Sequence, residues 1–257
     1  MWTEAALARG DRVAATARNP DSLTELAAKY GENLLPLALD VTEKPRVDTA
    51  VRDAHERFGR LDVIVNNAGY GLFGTIEEVS EAEARAQIET NLFGALWVTK
   101  AALPYLRAQG SGHIIQVSSV GGVVAFGNLG LYHASKWALE GFSQALATEV
   151  RPFGIKVTIV EPGGYATDWG GSSAVHATPI PAYEPAREAR RRLMSTRPPA
   201  GDPEATAAAI LKIVDAEDPP LRVLFGNVLE IVRADFAQRL ATWEEWKPTS
   251  LLAYRPR

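Results

Sequence analysis

The stretch HIIQVSSVGG, residues 113–122, sets a nearly unbroken apolar run directly before a polar turn with two glycines. Successive side chains of a strand point to opposite faces, so such a run suits a strand covered on both sides, as in a parallel sheet between helices. VIVN at 63–66 and KVTIV at 156–160 read the same way. Six strands are predicted, over 12–17, 34–39, 61–66, 113–118, 156–161 and 221–225. Helical patterns separate them. Ser22 with Glu25 and Ser80 with Glu83 have capping-box spacing, and Thr42 precedes a first turn containing Pro45. Residues 83–109 and 131–152 read as long helices apolar on more than one face. Strand alternating with helix predicts an α/β fold with a doubly wound parallel sheet, residues 1–257 forming one domain.

Composition narrows the function. The net charge is −4, with acids and bases mixed, and no basic stripe marks a nucleic-acid binder. Without cysteine there is no disulfide, thiol catalysis or cysteine metal site, which fits a reducing cytoplasm. Four scattered histidines lack metal-ligand spacing, so no metal is expected. No stretch of about 20 apolar residues could span a bilayer, and no membrane partner is expected. Residues 168–203 break the strand–helix rhythm with small residues, prolines and Arg187, Arg190, Arg191 and Arg192. An insertion of this length reads as a lid over a site, or as a solvated loop with one charged helix. Helical spacing returns over 227–246, with Val228, Ile231, Val232, Phe236 and Leu240.

The chemistry begins with YHASK, residues 132–136. Tyr132 and Lys136 stand four apart, on one face of a helix, where an ammonium beside the phenol would draw its pKa down from about 10 toward a usable acid/base. The spacing alone is weak. Seven tyrosines and seven lysines in 257 residues give about 0.2 such pairs by chance, and Tyr132 could equally be a core residue. Ser119, thirteen residues before Tyr132, stands just past a predicted strand, at the end where open α/β sheets bind ligands.

LDVIVNNAG (61–69), NLFG (91–94), the Ser119 stretch, YHASK and IVEPGGYAT (159–167) stand in an order that resembles the short-chain dehydrogenase/reductase family. The resemblance runs from the first residue to about Thr167. It implies a Rossmann-like sheet and an NAD(P)-dependent oxidoreductase acting on a carbonyl or alcohol. It makes Tyr132 the acid/base, Lys136 the ribose ligand, Ser119 the donor to the substrate oxygen and Asn91 the support of a water linked to the lysine. Asn91 could also satisfy buried backbone. For the cofactor, Asp40 and Val41 would border the adenine, though Asp40 could be a turn acid. Asn66, Asn67, Ala68 and Gly69 would form the turn beside the dinucleotide, and Pro162, Gly163 and Thr167 the turn beside the nicotinamide. The predicted second strand of the family pattern ends Ala17-Arg18 without an acid, which favours NADP over NAD, an arginine there accommodating a 2′-phosphate. Arg18 could also be an exposed charge ahead of Asn19-Pro20. The family further implies a homodimer or homotetramer built on the two long helices.

The resemblance also implies a first strand and glycine-rich turn that hold the pyrophosphate at a helix N-terminus. The residues Met1 to Leu7 match the middle of that helix, so the expectation is a sheet lacking its first strand, with Met1 internal to a longer natural protein. Gly69-Tyr70-Gly71-Leu72-Phe73-Gly74 satisfies GxGxxG but opens no helix. The competing expectation is a catalytically silent relative that acts as a binding or assembly module. Trp169, Val175, Ile180 and Tyr183 in the lid region lean toward an apolar substrate, lipid-like, steroid-like or aromatic.

Overall fold

A computed structural model describes residues 1–196 and 199–254. In chain order the elements are α1 (Trp2–Ala8), β1 (Val13–Ala17), α2 (Thr24–Tyr30), β2 (Leu34–Ala38), α3 (Lys44–Phe58), β3 (Val63–Asn66) and β4 (Leu72–Phe73). There follow α4 (Glu81–Ile88), α5 (Ala95–Gln109), β5 (Gly112–Val117), α6 (Gly130–Val150), β6 (Ile155–Pro162) and β7 (Val175–His176). The chain then runs through α7 (Glu184–Ser195), α8 (Thr206–Val214), β8 (Arg222–Phe225), α9 (Leu229–Glu245) and α10 (Lys247–Leu252). All six predicted strands form, each within one or two residues of its expected ends, and every pairing is parallel.

The strands fall into a pair, β1-β2, and a four-stranded sheet ordered β3-β5-β6-β8. Among the described residues no strand pairing joins β1 to β3. Val65, in mid-β3, is 42% exposed, although its partner in register, Ile115, is wholly buried. One helix layer spans both sheets: α3 packs on β2 and on α5, and α5 packs on β3. The shared core joins Val47, Val51, Ala102, Leu106, Ile114 and Leu146. On the opposite face Leu7, Ala15 and Leu34 pack with α2 residues, while Ile115, Val160, Ile210 and Phe225 take Trp2 against them. Neighbours Ile114 and Ile115 thus enter opposite cores, which is why their run carries no polar alternation.

Three local expectations need correction. The single helix expected over 83–109 is interrupted by a π-helical segment, Glu89–Gly94, between α4 and α5. Ser22 does not cap α2. It sits in the short 3-10 turn Pro20–Leu23, its hydroxyl donating to the Asn19 carbonyl at 2.7 Å, and Asn19 is the capping side chain. Thr42 does not cap α3 either, where Glu43 holds the N-cap position without a side-chain hydrogen bond. The Ser80–Glu83 capping box forms as read. No helix is long and apolar enough to cross a membrane among the described residues. The apolar stripe of α9 stays in the open, with Phe236, Leu240 and Trp243 exposed.

Candidate active site

The carboxyl ends of β3, β5 and β6 open toward one region, and the expected chemistry converges there. Ser119 leaves β5 in extended backbone. Its hydroxyl accepts from the Gly121 N–H at 3.0 Å and donates to the Pro162 carbonyl at 3.5 Å. The turn that follows is held by His133, whose Nδ1 meets the Gly121 carbonyl at 2.8 Å while Nε2 accepts from the Phe126 N–H at 2.9 Å. That pattern makes His133 a neutral Nδ1–H tautomer, in keeping with burial, which lowers its pKa. Tyr132 stands in the first turn of α6. One turn on, Lys136 Nζ lies 5.9 Å from the Tyr132 ring centroid and donates to the Val117 carbonyl at 2.8 Å.

The electrostatics correct the sequence reading of this pair. Burial pushes Tyr132 up to about 12, its hydrogen bond with Ser119 pulling the other way. Burial pushes Lys136 down to about 8, opposed by the Glu140 charge. Desolvation is the largest cause at each group, and in this state both shift toward their neutral forms. Burial thus favours the protonated phenol of Tyr132 here over the phenolate.

Asn91 sits in the π-helical segment, a distortion frequent at functional sites. Its Nδ2 donates to the Tyr70 carbonyl and to Ser135 Oγ, and its Oδ1 accepts from the Tyr70 N–H, each at 3.1 Å. Asn91 thus satisfies buried backbone and pins the turn after β3. A Cβ on Gly69 would lie 3.1 Å from Asn91 Oδ1 and 3.5 Å from Lys136 Nζ, so glycine keeps that turn low against the lysine. Asn67, Ala68 and Gly69 are exposed, whereas Asn66 points inward and donates to Thr99 Oγ1 at 3.0 Å.

The remaining candidates lie further along this edge. Asp40 accepts from the Thr42 N–H and hydroxyl at 2.9 and 2.8 Å, which lowers its pKa, with Arg18 a smaller contributor. Its turn role is therefore real. Arg18 itself is exposed at the end of β1. Val41 packs on Gly94 rather than outward, since a Cβ there would come within 2.5 Å of Val41 Cγ2. Gly163 N–H bonds to the Phe225 carbonyl at 2.9 Å, and Thr167 Oγ1 accepts from the Trp169 N–H at 3.4 Å.

Trp169, near the start of the 168–203 region, packs against Tyr132. It meets the Tyr132 ring edge-on at 5.0 Å and tilts against Phe73 at 5.3 Å, and Phe73 stacks on His176 at 4.9 Å. β7 pairs in parallel with β4, which is the middle of the GxGxxG match. A Cβ on Gly71 would come within 2.8 Å of Trp169, and one on Gly74 within 2.7 Å of Ala177 Cβ. These glycines accommodate the covering segment instead of a phosphate. Glu78 fastens it, accepting from the Thr75 and Ile180 N–H groups at 2.8 and 2.7 Å and pairing with Arg187. Those backbone donors take Glu78 down to about 2. Sequence reasoning missed Phe73, Glu78 and His176, whose partners lie about a hundred residues away. The glycines at 71 and 74 were the available signal.

Comparison with known proteins agrees with this geometry. The short chain dehydrogenase family matches residues 2–176. The oxidoreductase BOA17 of Botryotinia fuckeliana is 44% identical over 254 residues, 96% of this chain and 92% of that protein. A 3-ketodihydrosphingosine reductase of Bacteroides thetaiotaomicron is 36% identical over 221 residues, 85% of this chain and 80% of that protein. The crystal structure of a short-chain dehydrogenase from Streptomyces avermitilis superposes with a TM-score of 0.91 at 39% identity, covering 98% of this chain and 94% of the other.

Proposed function

The chain belongs to the short-chain dehydrogenase family and is an oxidoreductase of that type, and from that premise we propose that it moves a hydride between NADP(H) and an apolar carbonyl or alcohol. The observation that carries this reading is the convergence of Ser119, Tyr132 and Lys136 at the carboxyl end of β5, under Trp169. A nicotinamide cofactor would supply or accept the hydride. Tyr132, protonated as burial requires, would donate its proton to the carbonyl oxygen during reduction and take it back in reverse. Ser119 would hold that oxygen by its hydroxyl, Lys136 would bind the ribose, and Asn91 would keep the turn and the lysine in register.

The residues fit a dinucleotide laid along this edge. Bare backbone at Asn67, Ala68 and Gly69 faces outward, Asp40 and Val41 end β2's turn, and Pro162, Gly163 and Thr167 border the opposite side. Arg18, at a strand end whose sequence Ala15-Thr16-Ala17-Arg18 carries no acid, supports NADP over NAD. The aromatic cover of Phe73, Trp169 and His176, with Val175, Ile180 and Tyr183 in the same lid, supports a lipid-like, steroid-like or aromatic ketone. The name of the Bacteroides relative, a 3-keto reductase, supports the same class. The alternative of a silent binding module is not favoured, because named oxidoreductases align over nearly the whole chain. A cytoplasmic homodimer or homotetramer, joined through the outer faces of α5 and α6, belongs to the same proposal and is tested by sedimentation.

The decisive assay is oxidation of NADPH, then NADH, by the purified chain with a panel of apolar ketones. Tyr132→Phe is expected to reduce turnover by at least about 100-fold, the scale of a lost general acid. Arg18→Ala is expected to raise the KM for NADPH about tenfold with little change for NADH. Tyr132→Phe with wild-type turnover refutes the assignment.

A further inference from the structure

Beneath Lys136 the interior holds two carboxyl groups for which the proposed reaction has no direct use. Glu140, one turn beyond Lys136 on α6, and Glu161, on β6, are 6% and 3% exposed. Arg222, at the start of β8, lies between them. Its Nε donates to Glu140 Oε2 at 3.0 Å and stands 3.5 Å from Glu161 Oε1 without a hydrogen bond, while Nη2 donates to Gln144 Oε1 at 2.8 Å. Glu140 Oε1, Glu161 Oε1, Ser118 Oγ and Ser143 Oγ have no hydrogen-bond partner. A Cβ on Gly122 would fall 2.4 Å from Ser118 Oγ and 3.2 Å from Glu140 Oε1, so both oxygens close on the turn that carries Ser119.

One guanidinium can compensate one carboxylate. A second buried negative charge on Glu161 would have no hydrogen-bonded cation, and like charges at one site oppose each other's ionisation. We propose that Glu161 keeps its proton beside the Glu140–Arg222 ion pair, and that this cluster sets the charge of Lys136, making Glu140 a positioning residue for the lysine ammonium. The charged groups facing the two carboxyl groups are Lys136, on the helix of Glu140, and Arg222 from β8. Ser118, Ser143 and Gln144 add neutral polar atoms. Burial, then the Glu140 charge, raise Glu161 to about 7, with Arg222 opposing. Glu140 is the group that counters burial at Lys136. Below the Glu161 midpoint, Glu140 and Arg222 balance. Above it, the cluster gains a second negative charge, which keeps the proton on Lys136 to higher pH.

The first arm of the test does not depend on turnover. The full chain contains seven lysines, so protein labelled with carbon-13 at the lysine ε-carbon gives a resolvable set of signals, with Lys136 assigned through Lys136→Arg. Titration is compared for wild type, Glu140→Gln and Glu161→Gln. Both substitutions are expected to lower the Lys136 midpoint, Glu140→Gln by about one pH unit or more and Glu161→Gln by less. If Glu140→Gln does not fold, Glu161→Gln and Glu140→Asp carry the comparison, with the aspartate returning the midpoint toward wild type. Unfolding by urea from pH 5 to 8 should show a wild-type folding constant that falls by about 100-fold relative to Glu161→Gln. An unmoved Lys136 midpoint in every variant, or equal pH slopes of unfolding, overturns the proposal. The second arm rests on the proposed function: the pH profile of NADPH oxidation should shift with the Lys136 midpoint. Absence of any wild-type turnover would refute that function while leaving the titration arm intact.

Discussion

Gly94→Ala separates two physical effects of opposite sign. Gly94 closes the π-helical segment that carries Asn91, with ordinary right-handed backbone. An unconstrained helical glycine replaced by alanine would stabilise the chain by about 1 kcal/mol. At this position the new Cβ would lie 2.5 Å from Val41 Cγ2 and 3.0 Å from Val41 Cβ, whereas carbon atoms rest at roughly 3.5–4.0 Å. Relief of about 1 Å is needed, and valine, fixed at χ1, has little freedom to give it. Overpacking of this size costs about 1–3 kcal/mol, so the net effect is a loss of about 0–2 kcal/mol. For a chain of this length that lowers Tm by up to about 8 °C. In a Val41→Ala background the 2.5 Å contact with Cγ2 disappears and only the 3.0 Å approach of the two Cβ atoms remains, so the same substitution should cost less than in the wild-type background. Thermal unfolding of the four proteins gives the coupling directly, with an expected value of about 1–3 kcal/mol. A higher Tm for Gly94→Ala in the wild-type background would refute the close packing of Val41 on this helix.

Trp169→Ala removes the edge-on cover of Tyr132 and the contact with Phe73. The KM for an apolar ketone should rise about tenfold while kcat falls less, as steady-state kinetics will read; an unchanged KM would exclude Trp169 from the substrate site. His113, whose Nε2 meets Thr158 Oγ1 at 2.9 Å, is pushed down to about 4, chiefly by burial and then by Lys156. Its native pKa lies below the unfolded value near 6.5, so the unfolded chain takes up a proton that the native chain refuses. Stability should be full above pH 6.5 and decline as pH falls toward 4, by up to about 3 kcal/mol from this group. Comparison with His113→Gln in urea at several pH values should show the variant without that part of the slope. Glu78→Gln should loosen the segment around Ile180, because a neutral amide cannot match the carboxylate that Arg187 and two backbone N–H groups now satisfy. Hydrogen exchange at Ile180 should quicken, and equal protection would exclude the fastening role.

By itself the sequence determined what is local or periodic. Apolar runs over residues 63–66, 113–118 and 156–161 suited strands of a parallel sheet, so the α/β class followed, although Val65 in the first of them is exposed. The four-residue step from Tyr132 to Lys136 placed both side chains on one helix face. Tertiary structure decided what depends on environment. Proximity predicted that the lysine would draw the tyrosine pKa down, but burial of both groups reverses the direction, and burial is a property of the packed chain. GxGxxG at residues 69–74 looked like a turn, and only the parallel pairing of Leu72–Phe73 with Val175–His176 reveals glycines that admit Trp169 and Ala177. The Glu140–Arg222–Glu161 cluster joins a helix to two strands across more than eighty residues. No sequence period reports such a meeting, because the chain distance between its members carries no information about their distance in space.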